Sequence, residues 1–317
     1  MSSKSPPTLD PLALQRFKRL QSSKSAAWLH EEVSSRMLER LKWFKDKPQS
    51  WTDWEPVNSG FKGHKNLQKM FAAADVSVVE HNTQRLKETQ TLLSRSWTSR
   101  LLPILKNSAL TWPGKQSFIL SPLNPTHPLP DSPLKQVEMI WANMLLHLTP
   151  QPMDLIKEWQ KSLKVGGWVM FSCLGPDTTK ELRAIYEKLG WPKPSHDFTD
   201  MHDWGDMLVE AGFSDPVMDM ERITLTYSSP ESLIADLRTM GRNFHPHRFQ
   251  ALRGKDWLRA LKKNLLTLNI HKDSKELCLP LTFEIIYGHA FKVAPKIKVT
   301  QTASFSPEDL KAMIHRK

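Results

Sequence analysis

Apolar and polar positions along the chain follow two rhythms. In AAWLHEEVSSRMLERLKWF, around Ala27, the residues Leu29, Val33, Met37, Leu38 and Leu41 recur at helical spacing with charges between them. That spacing predicts an amphipathic helix ending near Lys47-Pro48. Short apolar runs follow: WTDW near Trp51, then Val76 to Glu80, Ser117 to Leu120, Val137 to Asn143 and Gly167 to Leu174. Most are apolar on both faces, and helical stretches such as FKGHKNLQKMFAAA and PMDLIKEWQKSLKV separate them. Strands buried on both faces and alternating with helices predict a doubly wound α/β fold, a mostly parallel sheet covered by helices on both sides. The pair Gly166-Gly167 reads as the stop of one helix and the start of the next strand. SPLNPTHPLPDSP, from Ser121, reads as a loop because of its prolines.

The flanks have a different character. The first twenty residues are polar and Pro-bearing, which predicts a mobile arm. From Ser228 to about Leu268 the pattern is helical, and β-like periodicity returns from Leu281 to Phe291. A helical lid inserted between two strands at one sheet edge accounts for both. The expected organisation is an arm and amphipathic helix over 1–47, a Rossmann-like core over 48–227, the lid over 228–276, a returning edge strand over 277–292, and a tail over 293–317 with a short helix capped by Ser306.

Composition narrows the function. A chain of 317 residues with 39% apolar content is long enough for one large core with an insertion. The formal charge of +11 points to an acidic partner. No recognition-helix, RNP or zinc pattern is present, so nucleic acid is not expected. No run is long enough to span a bilayer or to act as an apolar leader, and Cys173 and Cys278 fit neither a disulfide framework nor a metal site. A cytoplasmic protein without membrane attachment is expected. His245 and His247 lack further ligands at suitable spacing, so no metal is expected. Trp43, Trp51, Trp54, Trp97 and Trp112 crowd the N-terminal half and read as core volume.

Four segments carry a resemblance: FSCLGPDTTKELR (171–183), FTDMHDWGDMLVEAGFSDPVMDMERITLTY (198–227), LRTMGRNFHPHR (237–248) and LTFEIIYGHAF (281–291). They resemble the malonyl-acyl-carrier-protein O-methyltransferases of biotin synthesis, which are class I S-adenosylmethionine (SAM) dependent enzymes. The likeness is close from Val137 to Lys292 and weaker over WLHEEVSSRMLERL. It implies a Rossmann-like sheet of seven strands, the last antiparallel, with the lid over a thioester substrate. It also implies SAM as cofactor, an acidic acyl carrier protein as partner, and methyl transfer to the free carboxylate of a malonyl thioester.

The cofactor turn departs from that family. Its members carry D-x-G-x-G-x-G after the first strand, where glycine supplies positive φ and lets the backbone approach the cofactor. Aligning Asp53 with the acid puts Glu55, Val57 and Ser59 at the glycine positions, with Gly60 one place late. Val57 disfavours positive φ, Pro56 should hold Glu55 extended, and Glu55 would face the cofactor's own carboxylate. The family's Tyr-Asp pair falls on Ser23 and Lys24. If SAM binds here, the loop must take a different path.

The remaining cofactor-side candidates are Asp53, Gly60, Glu80 and Asn143. Glu80 ends the second strand, where an acid accepts hydrogen bonds from ribose hydroxyls; Asn143 ends the fourth, at the edge where open α/β sheets place ligands. Each has a plainer alternative, as a strand-end acid or as a loop-bracing amide. On the substrate side, Arg238 and Arg242 sit one turn apart in a helical pattern and suit a carboxylate. Asp177, beside Thr178, and His202 are further candidates, each with helix capping as the alternative. Eight Lys and Arg residues between 238 and 263 face the single acid Asp256, which suits an acidic carrier protein. No catalytic acid or base is assigned, because a carboxylate nucleophile is already ionised at neutral pH. Two readings stand: an active methyltransferase with an unusual cofactor loop, or a silent homologue that no longer binds SAM and serves as a binding or regulatory partner.

Overall fold

A computed structural model describes residues 9–20, 26–81, 83–104, 114–120, 136–270 and 276–294. Its centre is a seven-stranded sheet formed by β1 (Ser50–Trp54), β2 (Asp75–Glu80), β3 (Gln116–Leu120), β4 (Val137–Ala142), β5 (Leu163–Leu174), β6 (Phe213–Tyr227) and β7 (Leu279–Lys292). The strand order is β3-β2-β1-β4-β5-β7-β6. The first five strands pair in parallel, and β7 runs antiparallel between β5 and β6. The seven-stranded, mostly parallel sheet and its antiparallel member match expectation.

The strands feed two cores of alternating parity. Met139 and Trp141 of β4 face one side with Trp51 and with Leu29, Val33 and Met37 of α2 (Trp28–Leu41) and Leu67 of α4 (Phe61–Met70). Ile140 and Ala142 face the other with Trp54, Val169, Phe171, Trp159 of α6 (Pro152–Ser162) and Trp204 of α8 (Met201–Glu210). Between α2 and α4 lies the single turn α3 (Pro56–Ser59); α5 (Thr83–Ile104) follows β2, and α7 (Lys180–Lys188) follows β5. Four of the tryptophans fill the interior completely, but Trp43 is 87% exposed, so its reading as core volume is wrong. The side chains of Trp97 and Trp112, the proline-rich segment 122–133, Ser23, Lys24 and Ser306 lie outside the described residues.

Several expectations are corrected. Residues 11–20, read as a mobile arm, form α1 (Pro11–Leu20). Asp10 caps it, accepting from the N–H groups of Leu12 and Ala13 at 3.0 Å each, and Leu9 and Leu14 pack on Phe244. An Asp-Pro start followed by Leu14, Phe17 and Lys18 at helical spacing was the overlooked signal. α2 stops at Leu41 rather than near Lys47, where Phe44 turns in to stack on Trp168. Gly166 and Gly167 do not precede β5 but lie inside it. There Gly166 adopts φ +84° opposite an irregularity in β4, and a side chain on Gly167 would strike the Glu138 carbonyl. The segment from 228 holds α9 (Pro230–Met240) and α10 (Lys255–Leu265), with non-helical chain between them rather than one continuous helical pattern. Among the described residues, no helix is long and apolar enough to cross a membrane.

In β7, between β5 and the edge strand β6, Gly288 pairs with Phe171 of β5. A Cβ there would come within 2.4 and 2.5 Å of the Phe171 ring and 2.9 Å of the Met218 sulfur. Gly288→Ala is expected to lower unfolding stability by about 1–3 kcal/mol through overpacking. Urea denaturation followed by tryptophan fluorescence measures it, and an unchanged midpoint would show that the ring moves aside freely.

Candidate cofactor and substrate sites

The sheet reverses its winding between β1 and β4, and the loops at their carboxyl ends flank that crevice, the usual ligand position in such folds. Asp53 near the end of β1 is buried, and its Oδ2 lies 2.7 Å from Nδ1 of His64 on α4. Burial raises its pKa, and His64 opposes the rise. Asn143, just past β4, donates from its amide to the His30 and Ser59 carbonyls and accepts from the Ser172 hydroxyl at 2.6 Å. It therefore braces three segments, as its plainer alternative has it. Gly60 takes φ +119° against the backbone of His30, so positive φ is still used in this turn.

The other positive φ falls on Glu55, at +55° and ψ +53°. The expectation that Pro56 would hold Glu55 extended is thus corrected. Its N–H donates to the Val79 carbonyl at 2.9 Å, and its carboxylate is tied down on several sides. Lys18 Nζ of α1 approaches Oε1 to 3.1 Å, Asn58 donates to Oε2 at 3.0 Å, and His81 Nδ1 lies 3.5 Å away. Both partners of the Lys18–Glu55 pair are only 3% exposed. Burial alone would raise the Glu55 pKa, but the Lys18 ammonium and His81 hold it well below the usual carboxylate range. By moving the left-handed residue to Glu55, the loop leaves Val57 in the turn α3 and avoids the strain that Val57 posed at a glycine position.

Glu80 ends β2 fully buried, with Oε1 accepting from the Thr89 hydroxyl at 2.7 Å and Oε2 without a partner. Burial, then the charge of Glu55, pushes its pKa up to about 8, so it is largely protonated at neutral pH. An orphaned carboxyl oxygen at this strand end suits a ribose hydroxyl. The space beside Glu55 does not suit the amino-acid end of SAM. Phe17, Lys18, His30, Asn58 and Met240 close it to a cavity of about 20 Å³, room for roughly one water. In this conformation Glu80 keeps an unpartnered oxygen at the end of β2, and α1 fills the space beside Glu55.

A second cavity of about 280 Å³ opens between α7, α9, α10 and the 194–198 loop. Leu182, Tyr186, Leu237, Trp257 and Phe283 make its walls mostly apolar, and Arg238 and Arg242 stand on its lining. The two arginines do not share a helix, since α9 ends at Met240; Arg242 instead folds back to donate to the Arg238 carbonyl. Thr178 lines this cavity, whereas Asp177 pairs with Arg222 at 2.8 Å. His202 is exposed and bonds to Asp200 in the first turn of α8, apart from both cavities. Lys18, His147 and His196 had not been singled out; only Lys18 left a signal, its place in a capped helical pattern. His196 Nε2 donates to the His147 carbonyl at 3.0 Å, and burial lowers both imidazoles, His196 to about 4, so both are neutral.

The strand order, the antiparallel β7 and a crevice bounded by the β1, β2 and β4 ends define the class I methyltransferase fold. A methyltransferase-titled structure from Bacillus halodurans aligns over 83% of this chain and 100% of its own, with 12% identity and a TM-score of 0.51. The YcgJ protein of Bacillus subtilis aligns similarly, with a TM-score of 0.50. No family model matches the chain. Among curated proteins, the malonyl-[acyl-carrier protein] O-methyltransferase of Gallionella capsiferriformans is 36% identical, covering 89% of this chain and 91% of its own. The protein of the same name from Nitrosospira multiformis is 34% identical over 86% of each. The chain belongs to the malonyl-[acyl-carrier protein] O-methyltransferase family, whose fold and relatives imply use of SAM. None of these relatives is described as a binding or regulatory protein, so the silent-homologue reading gains no support.

Glu80 gives this site a pH signature. Its carboxyl binds a proton in the folded state up to about pH 8, while in the unfolded chain it releases that proton near pH 4.5. Across that window the folded state holds more protons, so its contribution to stability falls as pH rises. Glu80→Gln keeps an acceptor for Thr89 and removes the titration. The melting temperature of the wild type is expected to fall more steeply from pH 5 to pH 8 than that of the variant; parallel profiles would contradict a raised pKa.

Proposed function

We propose that the chain binds the malonyl thioester of an acidic acyl carrier protein in the 280 Å³ cavity, with Arg238 and Arg242 receiving the carboxylate that is to be methylated. The observation that carries this reading is two neighbouring guanidinium groups on a mostly apolar cavity, neither in an ion pair among the described residues. Burial and then the charge of Arg238 lower the pKa of Arg242, as expected where two cations lie close together. Asp177 and His202, the other substrate-side candidates, would act at most from the periphery.

The reaction asks little acid–base help of these side chains. A carboxylate is ionised at neutral pH, so the residues must chiefly orient it and exclude water, tasks that an apolar cavity with fixed cations performs. The α9–α10 segment acts as the lid over this cavity. Of its eight Lys and Arg residues, Arg248, Arg259 and Lys262 are engaged with Asp10, Asp256 and Glu231. Arg253 sits among aromatic rings, 4.6 Å from those of Phe249 and Trp257. Lys255 and Lys263, with the two cavity arginines, remain to meet an acidic partner in the cytoplasm. SAM is the donor this reading calls for, and it requires α1 to leave the methionine side of the cofactor pocket.

Fluorescence anisotropy with malonyl carrier protein tests the reading. Arg242→Ala and Arg238→Ala should each weaken binding by about 1.5–3 kcal/mol, the range for hydrogen bonds to charged groups. The methyl ester of the same thioester, which lacks the charge, should bind weakly to all three proteins. Affinities unaffected by either substitution would sink the assignment of the carboxylate to this pair.

A further inference from the structure

The filled cofactor pocket is specific in its chemistry. Glu55 is a buried carboxylate in the left-handed turn after β1, and its nearest cation is supplied by a different part of the chain, 37 residues earlier. Helix α1 is not loosely placed. Asp10 N–H donates to the Phe244 carbonyl at 2.9 Å, and Asp10 pairs with Arg248 at 2.7 Å. Phe17 packs on Phe244 with centroids 5.4 Å apart, and the Arg242 guanidinium lies 5.6 Å from the Phe17 ring. Lys18 is thereby delivered through a short apolar sleeve to Glu55.

We infer that Glu55 is a receptor for an ammonium group, and that Lys18 on α1 is its internal occupant, exchanged for the amino group of a SAM-type ligand when that ligand enters. Three features of the pocket converge on this. The space left beside the pair is about 20 Å³, so α1 and a nucleoside amino acid cannot be present together. Loss of Lys18 would leave His81, 3.5 Å away, as the remaining charge partner of Glu55, so a displacing ligand that brings an ammonium of its own is favoured over a neutral one. The neighbouring acids need none: Asp53 has His64, and Glu80 is largely protonated. The exchange keeps the local charge constant, and α1 then behaves as a competitor built into the chain. The inference concerns the cofactor side alone and holds whether or not Arg238 and Arg242 receive the acyl group.

The test uses the full chain and S-adenosylhomocysteine, which carries the amino group and transfers nothing. In calorimetric titration, Lys18→Met should bind it at least tenfold more tightly than the wild type, because the internal occupant is gone and Glu55 awaits a cation. Lys18→Met/Glu55→Gln, with neither charge, should lose that gain. In the wild type, saturating S-adenosylhomocysteine should speed tryptic cleavage after Arg16, an exposed residue whose peptide bond is held in the docked helix α1 until that helix leaves. The inference is overturned if Lys18→Met, melting as a folded protein, binds within threefold of the wild type, or if the ligand slows cleavage after Arg16. The cleavage arm needs no substitution, so an unfolded variant leaves the test standing. Retention of malonyl carrier protein binding by Lys18→Met separates failure here from failure at the arginine pair.

Discussion

A carboxylate held away from water at the carboxyl end of β1 must have a cation beside it, and much of the arrangement around the crevice serves that need. The Glu55 side chain draws in Lys18, and Lys18 draws in the whole of α1. That helix then contacts the chain around Phe244 and Arg248, beyond α9. Removing one partner of such a pair leaves an uncompensated buried charge, typically worth several kcal/mol. The left-handed backbone at Glu55 adds a local strain of roughly 1–3 kcal/mol. Both penalties are tolerated because the turn is fixed on either side, by the Val79 carbonyl and by Gly60.

The two cavities differ in how they manage charge. Near Glu55 an internal counter-ion is present and the space is closed. Near Arg238 and Arg242 two like charges lie side by side and the space is open. Electrostatically the first site is satisfied, whereas among the described residues no carboxylate pairs with either arginine of the second. Phe17 and Met240 stand between them: Met240 lines both cavities, and Phe17 carries the Arg242 guanidinium on its ring face.

The sheet was legible because its strands are buried on both faces, as the continuous apolar runs at Val137 and Gly167 announce. The helices from residue 230 onward were legible as a change of period, yet the break after Met240 was not, since a helical spacing of arginines persists across Gly241. Glu55, Val57 and Ser59 drew attention to the turn after β1, where the structure places a left-handed Glu55 and Gly60. The form of that turn was hidden, because it depends on Lys18, remote in sequence, and on which residue takes positive φ. Asp10-Pro11 offered a helix start that the surrounding prolines and serines obscured. His147 and His196 carry no pattern at all; they meet only through the fold.

The hydrogen bond from Asp10 to Phe244, together with the Asp10–Arg248 pair, makes the N-terminal helix and the chain beside the larger cavity a single mechanical unit. Motion of either carries the other. One residue ahead of the first helix thus ties together two stretches of chain that lie 238 positions apart.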